Sequence, residues 1–491
     1  MSVLSFVTHV TLLLVTALVW RVIYNVKFHP LARFPGPWYC AVSSLPMALI
    51  SLYRREPQWL LSIAKKYGRG DTPIRIAPTV LLFSKPSAIR EIYGTPSLNV
   101  KSGVYDSGML GPPSFFTILD GNEHRALRKA LGGPQWSFGT LKNVWEERID
   151  KLIRLFNAKM TERADRGEPV ILCDKGFVEN SRDERGILQS FRRGIVFFGF
   201  AGRWRGFRTT ILQSPLAPYF LSKPNASSGS GFIIHQADQL VTDRENRIEN
   251  EITARTSQIF FNSKPLNDIQ KRGHVTILIQ AGADTTGSAM GSTLRYLLAN
   301  PGCLAKARTE VDAADAKGLL STPVQYEETR QHLPYIAACI KEGGLRLNPP
   351  APNLLPRVVG PGGATICGVY VPEGTDVATN AVVVQTDPEL FGPDPEAFRP
   401  ERWLESKKKT AEVEAGLFVF GSGPRVCIGK DVAILELYKL IPEIIRRFDM
   451  TLLNAGEWVV AGGVAYYVNH SMYPSPAGLP GISNQMLKER H

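Results

Sequence analysis

The segment FGSGPRVCIG, residues 420 to 429, constrains this chain more than any other. Its glycines, Gly421, Gly423 and Gly429, free the backbone for a tight loop and allow close approach. Inside the loop stand one cysteine, Cys427, and one arginine, Arg425. A largely apolar run from Val432 to Leu437 then starts a helix, whose N-terminal dipole favours an anionic sulfur. A thiolate that holds a metal in a flat macrocycle needs such a loop. It also needs backbone N–H groups aimed at the sulfur, and a cation near the macrocycle's carboxylates. Arg425 can supply that cation through a charge-assisted hydrogen bond. A cysteine in a glycine-rich loop, taken alone, is more often structural.

The other cysteines do not compete for this role. There are six in 491 residues, none in a C-x-x-C pair, so a disulfide framework is unexpected. Reduced thiols fit the cytosolic side of a cell. The charge of +12, from 57 basic and 45 acidic residues, would suit nucleic acid, an anionic membrane or an acidic partner protein. No zinc-finger spacing and no long basic run supports nucleic acid. With 44% hydrophobic residues the chain can bury a large core, and no internal repeat divides it.

Met1 to Trp20 carries no charged side chain, and the apolar stretch spans residues 3 to 24. As a helix it would reach ~33 Å, enough for a hydrocarbon core of ~30 Å. Basic residues follow it (Arg21, Lys27, Arg33) and none precedes it, which places the body in the cytoplasm. A cleaved signal peptide would begin with a charge and end in small residues, and this stretch does neither. HPLARFPGP, residues 29 to 37, reads as a stiff hinge or an ordinary proline-rich linker.

Periodicity predicts helices over residues 57–67, 141–165, 232–261, 268–299, 302–316 and 334–346, and another from about Gly429. A strand pair is expected over 72–84, a loop over 215–231 and short strands over 364–386.

The spacing F-G-x-G-x-R-x-C-x-G is complete, and it resembles the haem-binding signature of the cytochrome P-450 family. The resemblance covers nearly the whole chain, with the motifs in the family's order. It implies the P-450 fold: mainly α with minor β, one large domain behind an N-terminal transmembrane helix. The expected division is a membrane anchor over 1–28, a hinge over 29–37 and a catalytic domain over 38–491. It implies haem b on Cys427, dioxygen, a small lipophilic substrate, and electrons from NADPH through a membrane-bound reductase. The anchor and hinge resemble fungal members that oxidise terpenoid, polyketide or alkaloid intermediates at the endoplasmic reticulum.

Residue roles carry over by motif. AGADTT, 281 to 286, resembles the distal-helix motif, which makes Asp284 and Thr285 the acid–alcohol pair that relays protons. Arg357 in LPR, and the pair His124 and Arg128, match positions that hold the haem carboxylates, with His124 where the family has Trp. Glu342, Arg346 and Arg402 match a buried ion trio, but EGGLR spaces Glu342 and Arg346 by four residues where the family has three. In a regular α-helix that insertion would turn the following register by ~100°. A second departure is a short connection between Cys173 and Gly186, where the family has about one to two further helices by ordinary helix lengths. Two other readings remain at this stage. One is a haem-thiolate isomerase or dehydratase on the same fold. The other is a non-catalytic haem binder.

Overall fold

The longest helix, Asp268–Ala299, organises the body of the protein. It begins at Asn267, whose side chain accepts from the Gln270 amide while Gln270 reaches back to the Asn267 amide. That reciprocal cap satisfies two otherwise orphaned donors. The computed structural model describes residues 3–105, 112–131, 138–170, 187–220, 229–250 and 266–476.

In chain order the main helices are α1 (Val3–Ile23), α2 (Glu56–Tyr67), α3 (Gly121–Ala130), α4 (Phe138–Arg166), α5 (Ile187–Arg203) and α6 (Gly229–Asn250). They continue with α7 (Asp268–Ala299), α8 (Pro301–Ala316), α9 (Tyr326–His332), α10 (Pro334–Cys339) and α11 (Lys430–Arg447). Helix α7 packs against α6, α8 and α11. The largest buried cluster joins α4, α7, α8, α10 and α11.

Strands are few. β1 (Ile74–Ala77) and β2 (Val80–Leu82) form the expected pair. β3 (Arg357–Val358) joins them through β6 (Asp376–Ala378), in the order β1-β2-β6-β3. β4 (Ala364–Ile366) and β5 (Val369–Val371) make a small hairpin. A longer hairpin, β7 (Phe448–Ala461) with β8 (Val464–Pro476), closes the described chain.

Among the described residues, one helix is long and apolar enough to cross a membrane, within Ser5–Phe28. None of its most apolar window is buried, so the body offers that surface no cover.

The helix predicted over 334–346 is present but changes character. After α10 the chain continues as a π-helical turn, Ile340–Leu347. A π turn closes with i→i+5 bonds, so it holds one more residue than an α turn. The extra glycine lies in that widened turn, and Glu342 and Arg346 still face each other across it. Both glycines lie against neighbours. A Cβ on Gly344 would stand 2.5 Å from Thr293 Oγ1 and 2.7 Å from the Ala289 carbonyl oxygen of α7. The bare backbone is what lets the π turn press onto α7.

The predicted end of the helix over 232–261 lies outside the described residues beyond Asn250, as does all of the short connection between Cys173 and Gly186. On its near side Val170 pairs with Met472 of β8. On its far side α5 packs on α6 and on the short helix Leu45–Leu52.

Gly344→Ala should destabilise the protein by about 1–3 kcal/mol through overpacking. Gly302→Ala in α8, where a Cβ meets nothing within 4 Å, should be neutral or stabilising by up to ~1 kcal/mol. Denaturant unfolding of the two variants beside the parent separates close packing from helix propensity.

Candidate functional site

Cys427 is held by the shape of its loop. Gly423 has φ of +70°, and a Cβ there would stand 1.9 Å from the Tyr93 carbonyl oxygen, so only glycine fits. The Cys427 amide donates to the Phe420 carbonyl at 2.8 Å, which pulls the loop tight. The amides of Gly429 and Lys430 point at the sulfur. Burial pushes the thiol up, while those amides and the charge of Arg128 pull it down. The thiol lies deep in the protein, yet its surface opens onto a cavity.

That cavity measures about 1170 Å³ and collects the sequence-predicted residues at its walls. Cys427 and Val426 line one side. Ala281, Gly282, Asp284 and Thr285 of α7 line another. His124, Arg128, Arg357 and Arg425 are also on its surface. It extends between α4, α7 and α11, where Trp145, Ile149 and Leu440 are among its lining.

The basic groups crowd together. His124 is pushed down to about 3, first by burial and then by the charges of Arg425, Lys101, Arg128 and Arg357. It is therefore neutral at any working pH. Lys101 is buried against the same group, and burial with Arg357 and Arg425 holds its ammonium well below its ordinary range. Its Nζ donates to the Phe116 carbonyl and lies 4.1 Å from the Tyr105 ring centre. Among the described residues no carboxylate pairs with Lys101, Arg128 or Arg357 within 4 Å. Sequence reasoning missed Lys101, since an isolated lysine in a polar stretch carries no spacing signal.

Arg425 is tied to the backbone ahead of α3. Its guanidinium donates to the carbonyls of Asn99, Ile118, Leu119 and Asp120, and to the Asn99 side chain at 2.9 Å. It clasps the cysteine loop to the segment ahead of α3, and its donors are engaged there.

The distal side has its own pairings. Thr285 Oγ1 donates to the Ala281 carbonyl at 2.7 Å. Asp284 Oδ1 lies 3.3 Å from Nη2 of Arg192, an α5 residue that the sequence did not single out. Glu436 of α11 also lines the cavity and is bonded to Thr286; burial pushes its carboxyl up to about 7. The only hint in the sequence is a lone acid inside an apolar helical run.

Glu342, Arg346 and Arg402 meet despite the four-residue spacing. Arg346 makes a two-pronged contact with Glu342, at 2.6 and 2.7 Å. Arg402 Nε reaches the same carboxylate at 2.9 Å, as does the Trp403 indole. The extra glycine therefore leaves the trio assembled.

Comparison with known proteins agrees with this geometry. Residues 207–458 match the family model described as Cytochrome P-450. A cytochrome P-450 monooxygenase, gsfF, from Penicillium aethiopicum is 31% identical, with 88% of this chain and 90% of that protein covered. The chain belongs to the cytochrome P-450 family. A P-450 monooxygenase from Aspergillus terreus is also 31% identical, covering 86% of this chain and 91% of the relative. ABA1 of Pyricularia oryzae, likewise a P-450 monooxygenase, is 28% identical over 88% of this chain and 89% of its own. This P-450 is accordingly a haem-thiolate monooxygenase.

The donor set fits a haem. It combines a deep thiol facing a cavity, amides aimed at that sulfur, and a cluster of cations short of acidic partners. A group bearing iron and two carboxylates answers all three.

Two outcomes test this site. Lys101→Met should stabilise the haem-free P-450, by removing a buried cation. It should also weaken haem retention by about tenfold, the loss of one charged hydrogen bond of ~1.5 kcal/mol. Unfolding of the apoprotein and haem transfer to apomyoglobin measure the two effects. Glu436 binds its proton more tightly folded than unfolded, with about 7 against 4.5. Its stabilisation is full below 4.5 and is lost as pH rises toward 7. Glu436→Gln should flatten that fall in unfolding free energy between pH 4.5 and 7.

Proposed function

We propose that this P-450 hydroxylates a small lipophilic intermediate of fungal secondary metabolism, of terpenoid, polyketide or alkaloid type. The observation that carries this reading is one cavity that Cys427 enters from one wall and Asp284 with Thr285 from another. The fungal source of the relatives supports the metabolic setting.

Cys427 would hold haem b by its sulfur, and Lys101, Arg128 and Arg357, with neutral His124, would receive the haem carboxylates. When bound, the haem supplies dioxygen activation, which an electron-rich thiolate promotes. The protein's own part is to deliver protons and exclude bulk water. Thr285 can turn its hydroxyl from the Ala281 carbonyl toward the cavity, and Asp284 stands beside it to replace a spent proton. Arg192 holds Asp284 in place in the meantime. The apolar walls keep water from quenching the reaction.

Residues 1–28 would anchor the protein in the endoplasmic reticulum membrane, residues 29–37 form the hinge, and residues 38–491 form the cytoplasmic catalytic domain. NADPH would deliver electrons through a membrane-bound reductase, and the excess of basic residues suits an acidic partner.

The test is expression with a fungal reductase in microsomes. The reduced carbon monoxide difference spectrum should show the band of thiolate ligation. Cys427→Ala should abolish that band and all turnover. Thr285→Ala should keep the band but divert NADPH consumption from product, with coupling reduced about tenfold or more, in the range of one lost general acid–base contribution. Fully coupled turnover in Thr285→Ala would overturn the relay role.

A further inference from the structure

Asn353 lines the cavity with Ala351 and Leu355 and has no part in the roles above. It lies between the π turn and β3, and every neighbour from Pro350 to Leu355 is apolar. Two elements fix its side chain. Arg203, the last residue of α5, donates from Nη2 to Asn353 Oδ1 at 3.5 Å. Gly463, in the turn between β7 and β8, has φ of +93°, and a Cβ there would stand 1.3 Å from Oδ1 and 2.2 Å from Nδ2. The hairpin tip thus forgoes a side chain where the amide lies. The Ala465 amide donates to the Pro350 carbonyl at 2.9 Å and pins the tip in place.

Arg203 does not need this contact. Glu56, the first residue of α2, accepts from its Nε at 3.1 and 3.2 Å and from its Nη2 at 2.9 Å. The two side chains are 5% and 3% exposed, and a buried pair so well matched needs no third partner. What the pair does for Asn353 is set its sense. A guanidinium only donates, so the amide oxygen faces Arg203 and the nitrogen faces elsewhere. Among the described residues the Asn353 side chain has this one hydrogen bond, and Nδ2 donates to none. Asn353 is only partly buried, so its two N–H groups are available at the cavity wall. A ligand that covers such donors without an acceptor binds at a loss.

We propose that the substrate is an apolar molecule that already carries a neutral oxygen acceptor, a carbonyl or hydroxyl, and that Asn353 Nδ2 donates to it. Asn353 is then a specificity-determining residue, and the Glu56–Arg203 pair positions its amide. A bare terpene hydrocarbon is disfavoured, because it covers both donors with no acceptor. The reaction that supplies this enzyme must leave oxygen on the skeleton, as a carbonyl-retaining condensation or an earlier oxidation does. The inference deepens the monooxygenase reading above and rests on it.

The test uses the purified haem-loaded protein and two ketones of different shape, camphor and cyclododecanone, each beside its hydrocarbon, camphane or cyclododecane. Equilibrium dialysis gives the affinities, the haem absorption shift reports entry into the cavity, and difference infrared spectroscopy reads the bound carbonyl. For at least one ketone the carbonyl stretch should be lower in the parent than in Asn353→Leu. Its affinity ratio over the hydrocarbon should fall about threefold or more in that variant, the worth of one neutral hydrogen bond. Asn353→Asp keeps an oxygen toward Arg203 but has no amide donor, so it should behave as Asn353→Leu does. A role confined to holding Arg203 predicts parent-like behaviour of Asn353→Asp instead. Failure of both ketones to bind would overturn the proposal, as would a stretch and a ratio in the variants that match the parent. The carbon monoxide band shows which variants are folded and loaded, and either one suffices for the comparison. If the band is normal and the ketone signature is absent, the substrate inference alone fails. If the parent lacks the band, the enzyme reading fails first.

Discussion

The Glu342 carboxylate is fully buried and serves Arg346, Arg402, the Trp403 indole and the Arg399 amide. A charge taken out of water this completely is tolerable only when nearly every lone pair is used. Arg346 is equally buried and donates onward to the carbonyls of Gln385, Pro395 and Ala397. The network thus ties the π turn to the segments that precede the cysteine loop. Leu345 of that turn lines the cavity, so polar contacts that leave little freedom hold one of its walls. Removing any one partner would strand the others, at a cost of roughly 3–5 kcal/mol for an unpaired buried charge.

The cavity shows the opposite arrangement. There the protein gathers cations without matching acids, and burial with mutual repulsion lowers the proton affinity of Lys101 and His124. Such a cluster opposes folding when alone, and anions that enter it are bound the more strongly. Stability and cofactor binding are therefore opposed at this site. At the distal wall a third pattern appears, an ion pair between Arg192 and Asp284 that faces the cavity.

Much of this was legible in the sequence. The cysteine loop, the long helix over 268–299 and the strand pair near 74–82 follow from spacing and periodicity, which act locally. The helix over 302–316 emerged for the same reason, with Pro301 at its first position. Lys101, Arg192 and Glu436 were not legible. Each matters only because a distant segment comes to face it, and Arg192 meets Asp284 across 92 residues. Arg425 was read for its charge, but the carbonyls that engage its donors come from residues 99 and 118–120. The long terminal hairpin escaped because its strands are interrupted by polar and glycine residues that read as loop.

The π turn at Ile340–Leu347 bears on how helices tolerate a change of length. One added residue in an α-helix swings everything beyond it around the axis. A locally widened turn absorbs the addition and returns the chain in phase. Insertions of this kind are silent at the level of shape, although they break a motif written as fixed spacing. A family can then lengthen a buried helix by one residue in a single mutational event, with no compensating change on the elements that pack around it.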